Sequence, residues 1–376
     1  MNCPYQKNCG GCPLRELSEE EYRQYKVNKF ENIIKKINQN NINRGQTVFI
    51  KDGTRRRAEF TFSLHKGEIL LGFNGAKSHE IVNINNCMLL TNKINNILPI
   101  IKIFLNNLCS IKTTEKIKNK KFITTNISSG EIWLTETVNG LDILIEIENK
   151  ISLDHRISIC DFANQYNEIA RISLCKKGSR PETIIEKHKP FIEIAGHKVF
   201  IPAGTFLQAS SDGEKALIDL VLQYVGTSSG KIADLFCGVG TFSYPLSNNI
   251  KNKITSIDSS TELLSGFEHS INAQSIPNIK IEQKNLFKYP LDEEELKNFD
   301  IIVFDPPRAG AAAQVNKIIL TTNKPQKIIA VSCNPHTFIN DANTLISGGY
   351  KLSEITMVDQ FVYSNHFELV ALFEKI

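Results

Sequence analysis

Four carboxylates, one thiol and a pair of glycines stand at the ends of short apolar runs, where their types suit group-transfer chemistry. The run KIADLF leads into Cys237-Gly238-Val239-Gly240, and Asp258 closes the next apolar run, 18 residues beyond Gly240. Glycines at such a turn let the backbone approach a ligand, and a carboxylate ending the second strand can accept hydrogen bonds from two ribose hydroxyls. The combination marks a nucleoside-cofactor site. A dinucleotide fingerprint would want a third glycine where Ser243 stands, and the acid Asp234 ahead of the glycines suits cationic S-adenosylmethionine better than a pyrophosphate. A later run, FDIIVF, ends in Asp305-Pro306-Pro307-Arg308. Polar groups past the carboxyl end of such a strand face the ligand crevice, and two prolines stiffen the backbone into a wall for a planar substrate. The following run, QKIIAVS, presents Cys333 just ahead of Asn334-Pro335. A lone cysteine at a strand end is usually apolar filler, but one neighbouring Asp305 at a cofactor crevice reads as a nucleophile. Glu368 interrupts apolar FELVALF, either as the exposed face of an edge strand or as a carboxylate held as a base.

The elements that must carry these groups follow from the pattern. At 376 residues the chain exceeds the ~250–300 at which one core stops growing, so two compact units plus appendages are expected. A composition 41% hydrophobic and 22% charged can bury a large core, which excludes a disordered chain or a coiled coil. Beyond Gly213, helices alternate with short apolar strands, the mark of an α/β domain with a mostly parallel, doubly wound sheet, here residues 206–376. Residues 48–205 read as a β-rich domain, with hairpins at AEFTFSLHKGEILLGFNG and EIWLTETVNGLDILIEI and helices near Lys93–Leu108 and Asn164–Ser173. Residues 1–47 form a Cys-rich segment and an amphipathic helix, Leu17–Ile37, with Ser18 as its cap. No run approaches the ~20 apolar residues of a membrane span and the N-terminus has no apolar signal core, so a cytoplasmic protein without a membrane partner is expected.

Charge is uneven. Residues 1–205 carry 30 Lys/Arg against 21 Asp/Glu, and the remainder 14 against 19. A basic half beside an acidic half is the footprint of a chain that holds a polyanion with one part and works with the other. Arg55-Arg56-Arg57 and KTTEKIKNKK at 112–121 are candidate phosphate grips, although strand alternation would send the arginines to opposite faces and leave at least one structural. Trp133, Phe60, Phe62 and Phe73 are candidates for base stacking, with core packing the commoner fate of such residues.

Nine cysteines in a reducing compartment call for ligation, chemistry or burial rather than disulfides. Cys3, Cys9 and Cys12 supply three thiols within ten residues, and Cys87 is the best candidate for a fourth ligand. Thiolate sets of this kind suit zinc or an iron–sulfur cluster, and spacing does not separate the two. The Cys-x3-Cys-x2-Cys pattern of radical cofactor cleavage is not present.

Taken together, DLFCGVGTF, DPPRAG, SCNPHTF and HFELVALF occur in an order that resembles the class I RNA 5-methyluridine methyltransferases, and FLQAS at 206–210 is similar to that family's Phe-x-Gln segment. The resemblance implies a Rossmann-like methyltransferase domain using S-adenosylmethionine, with Cys333 as nucleophile and Glu368 as base. It places Gln208, Phe236, Thr241, Asp258 and Asp305 around the cofactor, joining Gly238 and Gly240. Thr241 stands where relatives often carry Asn, and Asp258 where Glu is common. Cytosine-5 enzymes of similar layout usually place a cysteine in the fourth-strand motif, where this sequence has DPPR, so uracil is favoured. Similar sequences also hold a [4Fe-4S] cluster on four such cysteines, implying that role for Cys3, Cys9, Cys12 and Cys87. The partner expected is RNA, foremost 23S ribosomal RNA, with no obligate protein partner. Without a recognisable N-terminal β-barrel, the shorter type of ribosomal RNA enzyme is the nearer match. A tRNA enzyme and a non-catalytic iron–sulfur RNA-binding module are the alternatives.

Overall fold

The computed structural model describes residues 3–116, 122–227 and 229–376. The chain divides into two compact units: Met1–Glu16, Asp52–Ile192 and Ile201–Leu207 form one, and Leu17–Lys51, Glu193–Phe200 and Gln208–Ile376 the other. This partition differs from the contiguous three-part reading. The cysteine segment goes with the β-rich unit, whereas the helix after it goes with the C-terminal sheet.

That sheet explains the assignment. Its central strands run in the order Ile279–Gln283, Lys253–Asp258, Lys231–Leu235, Ile301–Phe304, Lys327–Ser332, all parallel, followed by antiparallel Glu368–Lys375 and then Tyr350–Asp359. Lys231–Leu235, Ile301–Phe304 and Lys327–Ser332 are buried almost throughout, as expected of parallel strands covered on both faces. Two short strands, Asn43–Arg44 and Val48–Phe49, pair in parallel with Tyr350–Asp359 and so draw the N-terminal helix to this unit. The helix spans Glu19–Ile34 and begins with a capping box, in which Ser18 and Glu21 satisfy each other's backbone N–H groups. Its buried stripe includes Phe30, Ile33 and Ile34, which join the sheet's core. It also includes Lys26, whose ammonium ion-pairs with Asp359 at 2.7 Å and donates to the His366 carbonyl at 2.6 Å. The Tyr22 hydroxyl donates to the same carboxylate. Removing one partner of such a buried pair typically costs 3–5 kcal/mol, so this cluster fastens the segment that runs into Glu368.

In the β-rich unit, seven strands lie in the order Glu182–Glu186, Ile169–Cys175, Gly140–Glu146, Ser129–Thr137, Arg57–His65, Glu68–Asn74, Ile81–Asn83. Both expected hairpins are present, the first turning through Lys66 and Gly67 at positive φ. Helix Asn92–Ser110 matches its sequence signal. The helix expected over Asn164–Ser173 is a correction: the helix is Leu153–Gln165, capped by Ser152, and Ile169–Cys175 is a strand buried along nearly its whole length. That strand runs parallel to Gly140–Glu146, and a parallel connection requires a crossover, which the helix supplies.

Phe60 and Phe62 are fully buried in this core, and Phe73 stacks on Phe60 at 5.0 Å, so these aromatics pack rather than present a surface. Arg56 is buried, the structural member that strand alternation requires, whereas Arg55 and Arg57 are half-buried, and Arg55 Nε donates to the Arg57 carbonyl. The Arg57 guanidinium lies 5.1 Å over the exposed Phe206 ring. Of the lysine-rich run, residues 117–121 lie outside the described residues. Among the described residues, no helix is long and apolar enough to cross a membrane.

Candidate functional site

Strand order reverses at Lys231–Leu235, which is flanked by Lys253–Asp258 on one side and Ile301–Phe304 on the other. Ligands of open α/β sheets bind beyond the strands' carboxyl ends at such a point. The turn there is conformationally specialised. Phe236, Gly238 and Gly240 all have positive φ, and a Cβ on Gly240 would stand 2.5 Å from the Phe267 ring. At Gly238 a Cβ would meet nothing, leaving an open approach to the backbone. Thr241 follows half-buried.

Asp258 spends its carboxylate on protein, accepting from Gly238 N–H at 3.0 Å and Ser260 N–H at 2.9 Å, which ties the glycine turn to the next loop. Ser243, where a dinucleotide fold would need glycine, is buried and donates its hydroxyl to Asp234. The other Asp234 oxygen has no partner among the described residues. Burial, followed by the charges of Asp305 and Asp258, pushes the Asp234 carboxyl up to about 7. Three carboxylates gathered at this point, one of them with an unanswered buried oxygen, fit a cationic ligand.

Cys333 and Glu368 meet through sheet register. Ser332 pairs with Leu369 across the antiparallel strands, so one step further brings Cys333 opposite Glu368. Asp305 ends the parallel strand on the other side of Lys327–Ser332. The half-buried Cys333 thiol is pushed up to about 11, first by burial and then by the charges of Glu368 and Asp305, with Arg308 opposing. Burial and Asp305 push Glu368 up to about 8, opposed by Gln360 and Arg308. Burial of its carboxyl pushes Asp305 up to about 7, opposed by a hydrogen bond from Gln208 at 3.2 Å. Asn334 caps helix Pro335–Ser347 and donates its side-chain amide to the Arg308 carbonyl, joining the DPPR and SCNP loops.

Two groups here escaped the sequence reading. Gln360 donates to both Gln208 and Glu368, and Lys26 anchors the neighbouring Asp359. A lysine on the apolar stripe of an amphipathic helix was the available signal for the second; an ordinary glutamine offered none for the first.

The four cysteines proposed as ligands lie in the β-rich unit. Cys3, Cys9, Cys12 and Cys87 line one cavity of about 360 Å³, together with Arg15 and Arg55. Backbone hydrogen bonds from Gly10 N–H to the Asn74 carbonyl and from Ala76 N–H to the Asn8 carbonyl hold the N-terminal segment, and Arg15 forms a bidentate pair with Asp52. Cys87 is fixed by Asn95, which accepts from its N–H and donates to its carbonyl. Burial pushes the Cys12 thiol up to about 11, with Arg15 opposing. Among the described residues, no three His, Cys, Asp or Glu side chains are gathered into a ready site for a single metal ion.

The parallel sheet, its switch point and the glycine turn define a Rossmann-like class I methyltransferase. A family model described as tRNA (Uracil-5-)-methyltransferase matches residues 19–376. The chain belongs to this family and is an RNA methyltransferase. An uncharacterized RNA methyltransferase of Agrobacterium fabrum is 35% identical, over 98% of this chain and 82% of that protein. The 23S rRNA (uracil(1939)-C(5))-methyltransferase RlmD of Aliivibrio fischeri is 28% identical, over 99% and 82%. In fold, the chain is similar to the Pyrococcus abyssi tRNA (uracil-54, C5)-methyltransferase crystallised with S-adenosyl-L-homocysteine. The TM-score is 0.72 at 22% identity, covering 97% of this chain and 86% of that one.

Proposed function

We propose that the chain methylates carbon 5 of a uridine in 23S ribosomal RNA, with Cys333 as nucleophile and Glu368 as base. The observation that carries this reading is the convergence of Cys333, Asp305 and Glu368 at one end of the sheet, beside the glycine turn. Carbon 5 of uracil is too weak a nucleophile to be methylated unaided. The Cys333 thiolate adds to carbon 6, and the displaced electron pair moves through the ring to oxygen 4, making carbon 5 nucleophilic. Arg308 brings the cation that favours both thiolate and developing oxyanion. S-adenosylmethionine would supply the methyl group when bound, and Gln208, Phe236, Gly238, Gly240, Thr241, Asp258 and Asp305 are the residues that would hold it. The Glu368 carboxylate then takes the carbon 5 proton, the ring double bond re-forms and the carbon–sulfur bond breaks, returning the thiolate. The target base must leave its stack to reach such a crevice.

The ribosomal substrate is supported by likeness to RlmD along nearly the whole chain. The family description favours tRNA as the second reading. Labelled methyl donor, offered with unmodified 23S ribosomal RNA and tRNA transcripts, tests both. Label mapped to 5-methyluridine in ribosomal RNA is expected. Label in tRNA alone would transfer the substrate to the second reading, and label in neither would end the proposal.

The same reading assigns a [4Fe-4S] cluster to Cys3, Cys9, Cys12 and Cys87. The four thiols line one cavity, and a thiolate-only set of this kind suits zinc as well as an iron–sulfur cluster; the resemblance of the cysteine pattern to cluster-bearing sequences of the family favours the cluster. Arg15 and Arg55 offset the negative charge of bound thiolates, and ligation would staple the N-terminal segment to the sheet, since binding energy of this kind is also folding energy. Cys12→Ala is expected to lose brown colour, iron and acid-labile sulfide together, and to expose residues 1–16 to limited proteolysis. A colourless anaerobic preparation of the native protein carrying stoichiometric zinc would refute the cluster.

A further inference from the structure

Gln360, 4% exposed, follows strand Tyr350–Asp359 and lies between two parts of the crevice. Its Nε2 donates to Gln208 Oε1 at 2.7 Å and to Glu368 Oε1 at 3.1 Å. Gln208 in turn donates its own Nε2 to Asp305 Oδ2 at 3.2 Å. An amide nitrogen has two protons, and both are committed at Gln360, so the direction of the chain of bonds is set from end to end. The fold makes room for this arrangement. Gly213 sits inside helix Ser211–Val225, where glycine costs about 1 kcal/mol relative to alanine; a Cβ there would come within 2.8 Å of both Cβ and Oε1 of Gln360. On the other side, Lys26 and Tyr22 hold adjacent Asp359 in place.

We propose that Gln360 is a positioning residue that aims and ionises Glu368 for proton removal from carbon 5, and couples it through Gln208 to Asp305. The inference rests on the role given to Glu368 above. The charged and titratable groups facing Glu368 are Asp305, Arg308 and Cys333, and its Oε2 has no partner among the described residues. Among these, Asp305 opposes ionisation, so the Gln360 donor and Arg308 are what favour the carboxylate.

Gln360→Met keeps the volume and removes both donors. Methyl transfer in the first turnover is expected to slow less than repeated turnover. Repeated turnover should slow about tenfold at pH 7.5, with the ionisation limb of the rate profile displaced to higher pH by about one unit, the equivalent of tenfold in proton affinity. A covalent RNA–protein adduct should accumulate on denaturing gels. Glu368→Gln is run in parallel. If it traps adduct while Gln360→Met keeps the native profile without adduct, the proposal falls and the role of Glu368 stands; if Glu368→Gln traps none, that role itself fails. Should Gln360→Met fold poorly, the native protein labelled with 15N-glutamine decides the matter. The Gln360 side-chain amide resonance is expected to shift with pH along the Glu368 titration, and a resonance indifferent to pH would overturn the coupling.

Discussion

Cys333→Ala is expected to lose methyl incorporation by ~10^4-fold or more, the scale on which removing a covalent nucleophile acts. The loss should be in turnover, with S-adenosylmethionine affinity near native, because the thiol bonds to the pyrimidine rather than holding the methyl donor. RNA bearing 5-fluorouridine should form a gel-stable adduct with the native protein, since fluorine leaves no proton on carbon 5 to remove, and none with the variant. The thiol's elevated position, about 11, adds a pH signature. Its thiolate fraction grows as pH rises toward that value. Alkylation of Cys333 by iodoacetamide, followed by peptide mass spectrometry without RNA or methyl donor, should therefore accelerate about tenfold per pH unit between 7 and 10. Native turnover by Cys333→Ala would end the covalent mechanism.

Glu368→Gln separates the two halves of the reaction. Addition and methyl transfer are expected to proceed once, whereas elimination should slow by 10^2–10^4-fold, the usual contribution of a positioned base. Rapid-quench measurements should show a first turnover near native and then a stall with RNA attached to protein. In the native chain Glu368 ionises near 8, so the rate at which the methylated adduct resolves should climb with pH to about that value and then level; the variant should lose this limb. The stability effect has the opposite sense. A carboxyl whose folded pKa lies above its unfolded value near 4.5 stabilises the fold below that value, and this contribution is lost as pH rises toward 8. The variant's thermal midpoint at pH 8.5 should therefore be no lower than the native one. A stall accompanied by a large drop in melting temperature would point to misfolding rather than to a missing base.

Much of the architecture was legible from local pattern. The alternation of helices and apolar strands announces the parallel sheet because a strand covered on both faces must be apolar throughout. The glycine turn, DPPR and Cys333 are legible for the same reason: each directly follows such a strand. The misplaced helix at 164–173 shows the limit of this reasoning. A short apolar segment such as IARISLC fits a buried helix as well as a buried strand, and only pairing with Gly140–Glu146 decides it. Alternation along the strand at 55–57 called for at least one structural arginine, but only tertiary packing shows that it is Arg56, because burial depends on what covers a residue.

What the sequence determined by itself is the reactive inventory: which strands end in acid, thiol or glycine, and that three cysteines are grouped within ten residues of one another near the N-terminus. Tertiary structure decided how those groups bear on one another. It set Cys333 against Glu368 through antiparallel register, gave the cysteine segment and the following helix to different units, and recruited Gln360 and Lys26, whose types alone signal nothing catalytic. The physical reason is that side-chain chemistry is carried by single residues, whereas desolvation, register and hydrogen-bond direction arise only where segments distant in the chain share one buried volume.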